Sequence, residues 1–169
     1  MKSISLYVSL YLLVAICCLA RQPAPDHSQK LLNSALDLAR SEQVTEACVF
    51  YIPEEAARAI PISPSAMEHS YWGSFRIRWF KFTGFRKKLI AALNKASLAP
   101  RDDLSGDYRW ACILYDSQGK RLTSIYLTAG TNAQIDELPV TANRELVDCF
   151  RQEFRGLTEI WGGFGDLTK

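Results

Sequence analysis

Histidine is almost missing from this chain: His27 and His69 are the two in 169 residues. No His or Cys pair stands at the short spacing of a structural zinc site. There is no Gly-x-Ser-x-Gly nucleophile elbow and no glycine-rich phosphate loop. Asp102, Asp103 and Asp107 lie close together but miss the alternate-position oxygen pattern of a calcium loop. Glu54-Glu55 and Asp102-Asp103 are adjacent carboxylates, which point apart in a helix or strand and make poor acid–base dyads. These absences leave no metal, no cofactor and no catalytic residue assigned.

Acidic residues are missing from one long stretch. Between Tyr71 and Arg101 stand Arg76, Arg78, Lys81, Arg86, Lys87, Lys88, Lys95 and Arg101, with no Asp or Glu among them. The rest of the chain from Arg21 carries 11 basic and 18 acidic residues, so an overall charge near neutrality hides a strongly basic segment. Aromatics interleave with the cations: Tyr71, Trp72, Phe75, Trp79, Phe80, Phe82 and Phe85. Arg86, Lys87 and Lys88 fall near the start of an expected helix, where cations oppose the macrodipole. A cluster of residues that breaks a local rule is a place to suspect function. Arg76, Arg78, Lys81, Arg86, Lys87 and Lys88 are therefore the candidate binding residues.

The start of the chain reads as a targeting segment. Lys2 supplies a positive n-region, and Ile4 to Ala20 is apolar with only Ser and Tyr as relief. Cys18-Leu19-Ala20 sets small residues at −3 and −1 of a signal-peptidase cut, which would leave Arg21 first. An uncleaved anchor would sit at the short limit for a span and would place Arg21 against the positive-inside trend. Lipidation at Cys17 or Cys18 is a third option. Residues 1–20 are thus expected to be a signal peptide, 21–27 a linker with two prolines, and 28–169 a single domain, periplasmic or secreted. No transmembrane span is expected after cleavage.

Cys48, Cys112 and Cys149 then remain. Export permits one bridge and leaves one thiol over. Each lies inside an apolar segment, where free cysteine behaves as a small buried hydrophobe.

Periodicity predicts helices over 28–40 and from Thr83, as a cap, to a stop at Pro100. Ser63-Pro64 predicts one helical turn through Met67, and a last helix follows Thr141 or Asn143 with Leu146, Val147, Phe150 and Phe154 inward. Glu54 to Ala59 can form a short helix. Strands are expected at Ala47–Ile52, Ser74–Phe80, Tyr108–Tyr115, Arg121–Thr128 and Ala133–Leu138, the last stopped by Pro139. Asp116-Ser117-Gln118-Gly119 is a hairpin turn with glycine where φ is positive. Strand and helix do not alternate strictly, so the fold class is α+β: a mostly antiparallel sheet of four to five strands with two to three helices packed on one face.

The run Trp110-Ala-Cys-Ile-Leu-Tyr-Asp-Ser-Gln-Gly-Lys-Arg-Leu-Thr-Ser-Ile-Tyr-Leu, then Ile135 to Val140 and the last helix, resembles a group of small, uncharacterised exported bacterial proteins. The resemblance covers the last third of the chain and implies no activity.

Two functions remain open on these residues. One is a non-enzymatic binding module using the basic, aromatic face on an acidic protein, an anionic membrane surface or a polyanion; export and near-neutral net charge argue against nucleic acid. The other is a small hydrolase or thiol enzyme with His69 as base to Cys48 or Cys112.

Overall fold

In the computed structural model, residues 26–54, 56, 60–69, 73–103 and 105–160 are described. The segment expected to be a signal peptide, the expected linker up to Pro25, most of the helix expected over Glu54–Ala59, Tyr71 and Trp72, and Trp161 and Phe164 of the tail lie outside them. So do the side chains of Asp26 and of residues 154–160, Phe154 included.

Seven strands form one antiparallel sheet: β1 (Glu46–Tyr51), β2 (Gly73–Arg78), β3 (Leu98–Pro100), β4 (Tyr108–Tyr115), β5 (Arg121–Thr128), β6 (Asn132–Ile135) and β7 (Leu138–Ala142). Their order is β2-β1-β4-β5-β6-β7-β3. Helices α1 (Asp26–Arg40), α3 (Thr83–Lys95) and α4 (Arg144–Ile160) contribute to a hydrophobic cluster on one face, while the single turn α2 (Pro64–Met67) packs on the other. The class is α+β, with more strands than the four to five expected.

Sequence pattern explains which strands are central. β1 and β4 are apolar on both faces because both faces are covered. Ala47, Val49, Trp110, Cys112 and Leu114 join the helix-side cluster, with Leu32, Leu89, Leu93, Leu146 and Phe150. Cys48, Phe50, Ala111 and Ile113 join the opposite cluster, with Ile52, Ile62, Met67, Tyr108 and Tyr126. β2, at the sheet edge, alternates: Phe75 and Ile77 are buried, Arg76 and Arg78 exposed. α3 links β2, at one edge of the sheet, to β3 at the other.

The added strands have local causes. Asp136 adopts φ 53°, a left-handed conformation that lets the chain reverse in two residues, so β6 ends at Ile135 and a further strand begins at Leu138. Pro139 therefore lies within β7, opposite Gln134, instead of stopping a strand. β3 pairs with β7 only from Val140 onward, so the missing proline N–H falls beside the strand's free end. Leu98–Pro100 is a strand rather than the end of a helix: α3 stops at Lys95, whose carbonyl accepts a hydrogen bond from the Asn143 side chain at 2.9 Å.

Other boundaries follow the local chemistry. Ser63 caps α2, its hydroxyl accepting from the Ala66 N–H at 3.2 Å. Gly119 closes the β4–β5 hairpin at φ 76°. Thr83 does not cap α3; Phe82 holds that position without a side-chain hydrogen bond, and Thr83 is the first helical residue. Thr141 belongs to β7 and Asn143 directly precedes α4, which continues through Gly156 to Ile160.

Candidate functional site

The turn from β2 into α3 concentrates what the sequence singled out. Trp79 is fully buried, and its indole N–H donates to the Ala39 carbonyl at the end of α1, at 3.1 Å. Its backbone N–H donates to the Thr45 carbonyl at 2.9 Å. The Arg78 carbonyl accepts from both Lys81 and Phe82, at 2.9 and 3.3 Å, which tightens the turn. Arg86 donates to the carbonyls of Ala39 and Arg40, at 3.3 and 2.9 Å, and stands 4.9 Å over the Phe80 ring. On this pinned scaffold Phe80 stays 43% exposed and Phe82 39%. Among the described residues the only other large exposed hydrophobic is Ile60.

The six candidate cations do not form one face. Arg76 and Arg78 project from the side of β2 opposite the helices, because Phe75 and Ile77 take the helix side. Arg86, Lys87 and Lys88 lie on α3, across the sheet. Arg76 pairs with Glu46 at 3.1 Å, and Lys88 pairs with Glu153 of α4. Arg86 satisfies the open carbonyls at the end of α1, a C-terminal role that suits a cation. Arg78, Lys81 and Lys87 are exposed and make no ion pair with described residues. Of the six candidates, those left exposed without an ion pair are therefore Arg78 and Lys81, which flank Phe80 in the chain, and Lys87 in the early part of α3, while Arg86 stacks on Phe80.

Cys112 and His69 are not brought together. Cys112 is fully buried in the helix-side cluster, whereas His69 follows α2 on the opposite face, so the sheet separates them. His69 is exposed, and its Nδ1 lies 2.9 Å from the Ser65 carbonyl. Cys48 is on the His69 side, but its charged neighbours are Arg76, Glu46 and Glu68. Burial pushes both thiols up, away from the thiolate a nucleophile needs. Cys48, Cys112 and Cys149 are all free. Val49 pairs with Cys112 across β1 and β4, which turns Cys48 to the opposite face and denies it a bridge to Cys112.

A groove of 630 Å³ on the outer face was not anticipated from sequence. Arg121 donates to the Tyr126 hydroxyl at 2.6 Å and pairs with Glu68 at 3.0 Å; the Tyr126 hydroxyl in turn donates to Glu68. Burial, reinforced by the bond to Glu68, pushes the Tyr126 phenol up to about 12, so at neutral pH it is a donor and not a base. Nearby, Asp136 Oδ1 accepts from the Ser124 N–H at 2.8 Å and the Thr123 hydroxyl at 3.1 Å. These polar groups satisfy one another, so the network braces α2 and the β6–β7 turn against β5. Its partners are up to 58 residues apart, which no local motif records. Among the described residues no group of three His, Cys, Asp or Glu could hold a metal ion, and no described helix is long and apolar enough to cross a membrane.

No family model, no curated protein and no solved structure matches this chain.

Proposed function

We propose that this chain is an exported, non-enzymatic binding domain that engages an anionic partner through the β2–α3 turn. One observation carries the reading: Phe80 and Phe82 stay exposed on a turn that is otherwise fastened to the core, with the exposed cations Arg78 and Lys81 beside Phe80 in the chain and Lys87 in the helix that follows. Burying apolar surface is favourable, so rings held in water by a rigid support are available to a partner. The cations set that partner's sign.

The test replaces Arg78, Lys81 and Lys87 with Glu and leaves Arg86, which closes α1, untouched. Binding to heparin, used as a soluble polyanion, and to anionic vesicles is compared with the parent protein. Loss of both supports the reading, whereas unchanged binding, or none in the parent, removes it. Export predicts a mature N-terminus at Arg21, which N-terminal sequencing of the exported fraction reads directly.

A further inference from the structure

We infer that the anionic partner is the surface of a lipid bilayer, with Phe80 and Phe82 entering the interface while Arg78, Lys81 and Lys87 meet lipid phosphates. This rests on the reading of the turn as an anion-binding site.

The argument starts from the pairing of chemistries. A soluble polyanion satisfies cations but offers nothing apolar to two partly exposed rings. A bilayer interface takes both: rings settle at the headgroup–acyl boundary, and cations remain at the phosphate level. The residue order Arg78-Trp79-Phe80-Lys81-Phe82 supplies that alternation, with Trp79 turned inward as the anchor.

Rigidity is the second element. The turn is fastened through the Trp79 indole, the Trp79 N–H and the doubly bonded Arg78 carbonyl, and Arg86 fixes the Phe80 ring from above. Little conformational entropy is left to lose on docking.

Charge distribution then orients the molecule. The segment from Tyr71 to Arg101 carries +8, and the remainder from Arg21 carries −7. An anionic surface attracts the first and repels the second. Because that segment runs from β2 at one edge to β3 at the other, it is the exposed Phe80 and Phe82 that single out the β2 end for contact. Arg76 and Lys88 add little at that contact, because Glu46 and Glu153 already offset them.

The experiment uses the protein purified from the exported fraction. Sedimentation with vesicles of phosphatidylcholine alone and of phosphatidylcholine with phosphatidylglycerol is run beside heparin binding. The expected result is binding to the phosphatidylglycerol vesicles and not to the neutral ones. Each cation removed should weaken that binding roughly fivefold. Phe80→Ala with Phe82→Ala should weaken it roughly tenfold or more while heparin binding stays unchanged, which shows the turn still folded. Heparin binding without vesicle binding, or vesicle binding indifferent to the two phenylalanines, overturns the bilayer as partner and leaves the anion-binding reading standing. Binding to neither, or binding indifferent to the cations, overturns both.

Discussion

The indole N–H of Trp79 donates to the carbonyl of Ala39, 40 residues earlier in the chain and 3.1 Å away. Arg86 reaches the same carbonyl from α3. One oxygen at the end of α1 thus joins the first helix, the edge strand and the crossing helix. Trp79 also packs edge-to-face on Phe85, with ring centroids 6.3 Å apart. Trp79→Ala should destabilise the fold by about 3–5 kcal/mol. Trp79→Phe keeps most of the packing and loses the hydrogen bond, for about 1 kcal/mol, since Arg86 still occupies the acceptor. Urea denaturation midpoints check both, and an alanine variant close to the parent would mean that Trp79 does not anchor the turn.

Two exposed glycines should respond oppositely to the same change. A Cβ at Gly119 or at Gly84 meets nothing within 4 Å, so space does not distinguish them. Gly119 sits at φ 76°, where an L side chain is strained, and Gly119→Ala should cost about 1–2 kcal/mol. Gly84 lies in the first turn of α3, and Gly84→Ala should stabilise by about 0.5–1 kcal/mol. Thermal unfolding of the two variants side by side reads the sign.

Asp136 combines backbone conformation and side-chain bonding, and substitutions separate them. Asp136→Gly relieves the positive φ and removes the acceptor for Ser124 and Thr123. Asp136→Ala removes the acceptor and keeps the strain. Alanine should therefore be less stable than glycine by about 1 kcal/mol, and Asp136→Asn, which tolerates the conformation and retains an acceptor, should lie nearest the parent. Equal stabilities for alanine and glycine would show that φ at this residue does not matter.

Alkaline pH should weaken the fold through Tyr126. Its phenol is raised from 10.0 to about 12 in the folded protein, chiefly by burial. Above about pH 10 the unfolded chain releases this proton while the folded one keeps it, so stability is full below that pH and falls as pH rises toward 12. Cys149, raised from 9.0 to about 11 mainly by burial, adds a loss that begins earlier. Stability measured from pH 8 to 12 should fall less steeply in Tyr126→Phe than in the parent, and parallel curves would contradict the assignment.

Much of the fold was legible in local pattern. Alternation in β2, two-faced apolarity in β1 and β4, the Gly119 hairpin and the Ser63-Pro64 turn each depend on neighbouring residues, which is the range a sequence pattern records. Failures came where distant groups decided. Pro100 and Pro139 looked like stops, yet each finds a strand partner across the sheet. Thr83 looked like a cap, but the aromatic turn before it starts the helix one residue earlier.

For the candidate site the division is similar. The sequence by itself determined that cations and aromatics crowd one acid-free stretch and that β2 turns its arginines away from the core. Only the tertiary structure decided which of those charges remain available. Glu46 and Glu153 reach Arg76 and Lys88 from elements remote in the chain, and the end of α1 claims Arg86. The physical reason is range. A strand's facing follows from its own period, whereas a charge is neutralised by whatever the fold brings to it.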